Sequence, residues 1–197
     1  VVRKQSLILL GAAGAALLLL QRHAATSGDG SVTAGDDESN FIEDGYDTMT
    51  SLFNSLPASA APYQANIEDA ADTYGVPVAI LAWLLWKESR YNPAIINGTK
   101  RSRVGAMGIA QFMPATAREE LGSEAAALDP SIAIPGAARY LARLYKATGE
   151  WRGALAAYNW GIGNVQRKGL AAAPAETRDY YSTILSKAGM SEEGGFA

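Results

Sequence analysis

Residues 77–93 read PVAILAWLLWKESRYNP, and this stretch decides the fold. It lacks the strict alternation of a half-buried strand, and Leu81, Leu84 and Leu85 recur at the spacing of one helix face. Pro77 suits a first helical turn, so the pattern predicts a helix over 77–90. Glu88 lies seven, four and three residues beyond those leucines and projects from the same face. A carboxylate on an apolar face loses hydration, which favours its neutral form. A general acid working near neutral pH needs that state. The competing reading is a buried glutamate that pairs with an arginine or caps a loop.

Outward from this helix, the same three- and four-residue spacing predicts helices over 64–74, closed by Gly75, and 114–121, opened by Pro114. Asp129-Pro130 begins another over 130–148, with Pro135 near its start and Gly149 past its end. Helices over 151–158 and 175–188 follow, the last before Gly189. Residues 91–112, rich in Gly and Asn, read as irregular or as a short hairpin. The expected fold class is mainly α, with the domain at 63–197.

Composition narrows the function. The chain has 197 residues, 48% of them hydrophobic and 19% charged, enough apolar content to bury a core. A net charge of −3 argues against a nucleic-acid partner. There is no cysteine, hence no disulfide, thiolate metal site or cysteine nucleophile. The one histidine, His23, sits beside an apolar run, a poor place for a zinc site or a catalytic triad. No metal or cofactor is expected.

The charge falls in three blocks. Residues 1–23 carry +3, residues 24–62 carry seven acids and no Lys or Arg, and residues 63–197 carry +1. Leu7 to Leu20 reads LILLGAAGAALLLL; as a helix it would extend roughly 21 Å, short of the ~30 Å hydrocarbon core. Snorkelling by Lys4 and Arg22 would cover the gap, so residues 1–23 are expected to be a retained transmembrane anchor. A cleaved signal peptide and a buried core helix are the alternatives. The flanking charges place the N-terminus in the cytoplasm and the bulk of the chain outside. Residues 24–62 read as an acidic flexible linker. A short helix is expected among Phe41, Ile42, Met49, Leu52, Phe53 and Leu56, ended by Pro57 and Pro62.

After Glu88-Ser89-Arg90-Tyr91-Asn92-Pro93 comes Gly105-Ala106-Met107-Gly108-Ile109-Ala110-Gln111-Phe112-Met113-Pro114-Ala115-Thr116-Ala117. Asp129-Pro130, Ala157-Tyr158-Asn159-Trp160-Gly161 and Glu176-Thr177-Arg178-Asp179-Tyr180 follow in order. This series resembles the lytic transglycosylases of the soluble (SLT) type, which share the goose-type lysozyme fold. The resemblance covers about residues 65–188 and implies a lysozyme-like helical domain behind the anchor and linker.

The resemblance assigns roles residue by residue. Glu88 matches the family's catalytic acid. Ser89 matches a serine that helps to hold the substrate or the acid. Met107 matches the loop lining the glycan cleft, and Gln111 the cleft glutamine. Tyr158 and Asn159 match the pair that faces the acid and the sugar, and Tyr180 a tyrosine near the acid. The residues alone leave other readings open. Gln111 bonding within its own loop is one, and Tyr158 as a core residue another. Ser89 and Asn159 also suit helix ends or turns.

A glycosidase usually flanks the scissile bond with two carboxylates. Asp129, Glu150 and Glu176 are the candidates for a second, and Asp129 and Glu176 are better explained by helix starts. The family uses one acid. The resemblance implies that Glu88 protonates the bond between N-acetylmuramic acid and N-acetylglucosamine, then serves as base while a 1,6-anhydro ring closes. Peptidoglycan glycan strands are the expected partner, reached from the membrane on the cell-wall side. A hydrolytic goose-type lysozyme and a non-catalytic glycan-binding assembly module are the alternatives. Among secretion machines, wall turnover and bacteriophage particles, a virion-associated enzyme is the favoured setting. The basic loop Asn97–Arg103, longer than is usual in the family, reads as solvated, with contact to acidic stem peptides as the alternative.

Overall fold

The computed structural model describes residues 56–100 and 102–191. The anchor expected at 1–23 and the linker up to residue 55 lie outside the described residues, as does most of the short helix expected there. Among the described residues, no helix is long and apolar enough to cross a membrane.

The order is a 3-10 turn at Ala58–Tyr63, then α1 (Gln64–Tyr74), α2 (Val78–Ser89), α3 (Pro93–Ile96) and α4 (Pro114–Leu121). A 3-10 turn at Ala125–Leu128 leads to α5 (Pro130–Thr148), α6 (Trp151–Trp160), α7 (Ile162–Lys168), a 3-10 turn at Leu170–Ala172 and α8 (Ala175–Lys187). The domain is mainly α, as the sequence predicts. Its ends are set by local chemistry. Gly75 takes φ 65°, and the N–H groups of Gly75 and Val76 close onto Asp72 and Ala71, a left-handed cap that stops α1. The Asp129 carboxylate accepts the Ser131 N–H at 2.9 Å and starts α5.

α2 buries residues all around it: Ile80, Leu81, Ala82, Leu84 and Leu85 are fully shielded. Each such Leu or Ile contributes about 1.5–3 kcal/mol by leaving water. α6 presents Ala154, Ala156 and Ala157 to its neighbours, and these small side chains allow close approach. α5 packs on α1 and α6, α8 packs on α6 and α2, and α1 packs on α2. Glu120 of α4 is the buried acid of the core, held by Arg139 and Arg143 of α5.

Three features differ from the sequence reading. Residues 58–62, assigned to the linker, form a 3-10 turn that buries Ala60, so the folded unit begins earlier than 63. The stretch 91–112 holds the one-turn α3, capped by the Asn92 side chain, and a single antiparallel pair, Met107 with Phe112. α7 has no counterpart in the sequence reading; it is only seven residues long and none of them is fully buried, with Ile162 and Val165 alone resting on the core, too short an apolar face to read.

The loop before α4 rests on the turn at Ala125–Leu128. Gly108 has φ 73°, and a Cβ there would lie 1.6 Å from the Ala127 carbonyl oxygen. Gly149, with φ 79°, has nothing within 4 Å of such a Cβ. Gly108→Ala should therefore cost at least about 2 kcal/mol, against about 1 kcal/mol for Gly149→Ala, where only the left-handed backbone is penalised. Thermal melts of the two variants read the difference directly.

Candidate active site

Glu88 occupies the last turn of α2, and the chain turns sharply behind it. Arg90 and Tyr91 both take left-handed φ, 54° and 53°. Side chains with a Cβ pay about 1–2 kcal/mol each for that conformation. Ser89 helps to hold it: its hydroxyl donates to the Leu85 carbonyl at 3.0 Å and accepts the Tyr91 N–H at 3.2 Å. The Tyr91 hydroxyl donates to the Ala82 carbonyl at 2.8 Å, and its ring stacks on Tyr63 at 5.7 Å. Ser89 is 0% exposed and fastens the helix end that carries the acid, which fits the second of the two roles expected of it, holding the substrate or the acid.

The carboxyl of Glu88 accepts a hydrogen bond from the Tyr180 hydroxyl of α8 at 2.5 Å. Burial raises Glu88 from 4.5 to about 7; the Tyr180 hydrogen bond and the Lys87 charge oppose the rise without cancelling it. Part of the residue stays exposed, so the group is dehydrated yet reachable. Tyr158 and Tyr180 are both pushed well up, first by burial and next by the charge of Glu88, which puts the three groups in one electrostatic neighbourhood.

Of the other expected residues, Tyr158 shares the electrostatic surroundings of Glu88, while Asn159, Gln111 and Met107 are fixed by bonds of their own. The Tyr158 hydroxyl donates to the Ala110 carbonyl at 3.0 Å, tying α6 to the loop before α4. Its ring lies 5.3 Å from Tyr140 and 6.4 Å from Phe112. Tyr158 thus belongs to an aromatic cluster as well as to the surroundings of Glu88. Asn159 is exposed, and its carbonyl accepts from the buried Thr177 hydroxyl at 2.8 Å. Gln111 takes φ 48° and donates its amide to the Gly108 carbonyl at 2.8 Å, the bond within its own loop that the sequence left open. Met107 exchanges two backbone hydrogen bonds of 3.0 Å with Phe112, and its side chain rests against the core.

Among the described residues, no second carboxylate acts on Glu88. Asp129 caps α5, Glu150 pairs with Arg152, and Glu176 stands exposed in the first turn of α8. Thr177, Lys87 and Asp179 were not picked out from the sequence. Lys87 pairs with Asp179 at 2.6 Å, directly beside the Glu88–Tyr180 bond. The one available signal was that Lys87-Glu88 and Asp179-Tyr180 are adjacent pairs of complementary chemistry.

Among the described residues, Glu88 is the carboxyl group that is raised, and the Tyr180 phenol steadies it within a mainly helical domain. The chain belongs to the family described as the transglycosylase SLT domain, whose model matches residues 65–181. Peptidoglycan transglycosylase gp16 of Escherichia phage T7 is 36% identical over 140 residues, covering 64% of this chain and 10% of that protein. Membrane-bound lytic murein transglycosylase F 1 of Alkalilimnicola ehrlichii is 37% identical over 123 residues, covering 58% of this chain and 23% of that protein. The crystal structure of the 70 kDa soluble lytic transglycosylase of Escherichia coli superposes with a TM-score of 0.55 at 26% identity, over 64% of this chain and 23% of that one. An inactive mutant of lytic transglycosylase Slt from Pseudomonas aeruginosa gives a TM-score of 0.53, also at 26% identity, over 63% of this chain and 23% of that one. The chain therefore spans about a tenth to a quarter of the length of these relatives.

The raised acid has a consequence for stability. Folded Glu88 holds its proton more tightly than the unfolded chain does, with about 7 set against 4.5. Its favourable contribution is complete below pH 4.5 and is lost as pH rises through about 7. The loss is on the order of 1–3 kcal/mol. Glu88→Gln cannot ionise, so its melting temperature should match the parent near pH 4 and exceed it by several degrees near pH 8.

Proposed function

We propose that this chain is a membrane-anchored peptidoglycan lytic transglycosylase in which Glu88 is the sole catalytic carboxyl group. The observation that carries this reading is the Glu88 carboxyl itself: dehydrated, raised to about 7, bonded to Tyr180 and, among the described residues, without a second carboxylate acting on it. The family membership and the names of the relatives support the same reaction.

Glu88 donates its proton to the glycosidic oxygen between N-acetylmuramic acid and N-acetylglucosamine. The bond from the muramoyl anomeric carbon to that oxygen breaks, and N-acetylglucosamine leaves with a free 4-hydroxyl. The N-acetyl group of the muramoyl residue shares the positive charge at the anomeric carbon. The Glu88 carboxylate then takes the proton of the muramoyl 6-hydroxyl as its oxygen bonds to that carbon. A 1,6-anhydro ring results, Glu88 is protonated again, and no water is consumed. Tyr180 steadies the carboxylate between the two steps; a hydrogen bond to a charged group is worth about 1.5–3 kcal/mol. Asn159, Gln111, Met107 and Tyr158 bind the glycan around the acid, and Ser89 keeps the acid in place. The domain division is residues 1–23 as anchor, 24–62 as linker and 63–197 as the transglycosylase domain, with the 3-10 turn at 58–63 packed on it.

Glu88→Gln keeps size and polarity and removes the transferable proton, so lytic activity should fall at least about 1000-fold. Mass spectrometry of the wild-type digest should find 1,6-anhydromuropeptides and few new reducing ends. Reducing muramic acid carrying oxygen-18 from labelled water would identify a hydrolytic lysozyme instead, and binding without cleavage a non-catalytic module.

The apolar run Leu7–Leu20 supports the anchor, and one relative is named as membrane-bound. In this reading the anchored domain lies on the cell-wall side, where its substrate is. The phage relative supports a virion-associated setting, in which the enzyme opens the wall locally during entry. Deleting residues 1–23 should release an active enzyme from membranes or particles. Continued sedimentation of the truncated chain with membranes after a high-salt wash would rule the anchor out.

A further inference from the structure

α2 and α8 are joined twice, side by side. Glu88 and Tyr180 form one joint at 2.5 Å. The residues immediately before them form the other: the Lys87 Nζ donates to Asp179 Oδ2 at 2.6 Å. The same Nζ reaches the Thr183 Oγ1 at 3.4 Å, one turn further along α8. The Lys87 side chain is 17% exposed and that of Asp179 72%, so a half-sheltered cation lies along α8 under a solvated carboxylate.

A cation beside a general acid works against it, because positive charge favours the carboxylate over the acid. Lys87 is the cation that acts on Glu88 among the described residues. Among the described residues, Tyr180 of α8 and Tyr158 of α6 are the other titratable groups that share the surroundings of Glu88, and Arg90, just past the helix end, lies over the Trp86 ring. On α1, Asp69 and Asp72 are exposed and Glu68 accepts the Gln64 amide. The 3-10 turn at Ala58–Tyr63 has no charged side chain. On α8, Arg178 donates to the Ala173 carbonyl, Lys187 lies over Trp83, and Glu176 is exposed. Neutralising Lys87 therefore falls to Asp179. A partly exposed pair of this kind adds little to stability, so its larger effect is on its neighbour.

We propose that Asp179 is a positioning residue: it holds the Lys87 ammonium against α8 and neutralises it, which keeps Glu88 able to carry the transferable proton. This rests on the reading of Glu88 as the general acid. Without Asp179, the ammonium keeps only the longer bond to the Thr183 hydroxyl, and its charge is uncompensated next to the carboxyl group.

The test is a carbon-13 carboxyl NMR titration of Glu88 in the full chain, with its resonance identified by its loss in Glu88→Gln. Asp179→Asn should lower the midpoint by about half a unit, and Lys87→Met should raise it by a similar amount. In the Lys87→Met background, Asp179→Asn should have little further effect. The high-pH limb of lytic activity should move with the midpoint, with KM for glycan strands nearly unchanged. An unchanged or raised midpoint in Asp179→Asn overturns the proposal, as does an equal fall with and without Lys87. Asp179 is a surface residue and its change should leave the fold intact; Lys87→Met gives an independent reading if it does not. The titration needs no turnover. Shifts of the expected sign in a chain that makes no anhydro product would leave the control of Glu88 by this pair standing and would overturn only the transglycosylase reading.

Discussion

The hydrogen bond from Tyr180 to Glu88 links two opposed demands. The apolar helix α2 strips water from the carboxyl group and drives it towards its neutral form. A buried acid that never ionises would be as useless to a proton-transfer cycle as one that is always charged. The phenol, with the Lys87 charge behind it, favours the anion and limits the rise, so the group stands at about 7. That bond exists because α8 packs against both α2 and α6. Thr177 fixes Asn159 from the turn before, and Tyr180 reaches Glu88 from the next. One helix thus sets the orientation of side chains on two others.

Strain concentrates around the same place. Arg90, Tyr91 and Gln111 are the non-glycine residues with positive φ among those described, and all three flank the site. They are tolerated because their surroundings over-determine them. Tyr91 is held by the Ser89 hydroxyl, by its own bond to Ala82 and by its stack on Tyr63. Gln111 is held by its bond to Gly108, whose missing side chain lets the loop lie on the Ala127 carbonyl. Ending α2 abruptly leaves Glu88 on the last turn, where a carboxyl group can be both dehydrated and approached.

Ser89 shows how burial separates readings that the sequence leaves together. The resemblance has it hold either the substrate or the acid. In the fold it faces inward and closes the helix end. The helix-end reading was open from the sequence, and burial decides for it. Tyr158 illustrates a dual case, since its ring joins Phe112 and Tyr140 while its charge environment includes Glu88.

The sequence by itself determined the helices with strong periodicity and clear punctuation. α1, α2, α4, α5, α6 and α8 fall within two residues of where apolar spacing, prolines and glycines put them, because those signals act within a turn or two of chain. It also determined that Glu88 shares a face with the leucines of α2, since helical periodicity fixes that without any neighbour. The one-turn α3 and the two-turn α7 escaped, being too short for a periodic signal. Only the tertiary structure decided that Tyr180, ninety-two positions away, donates to Glu88, and that Lys87 meets Asp179 at the same separation. Contacts at that distance depend on the height at which α8 docks on α2. That height is set by packing against α6, which no local pattern in either segment encodes.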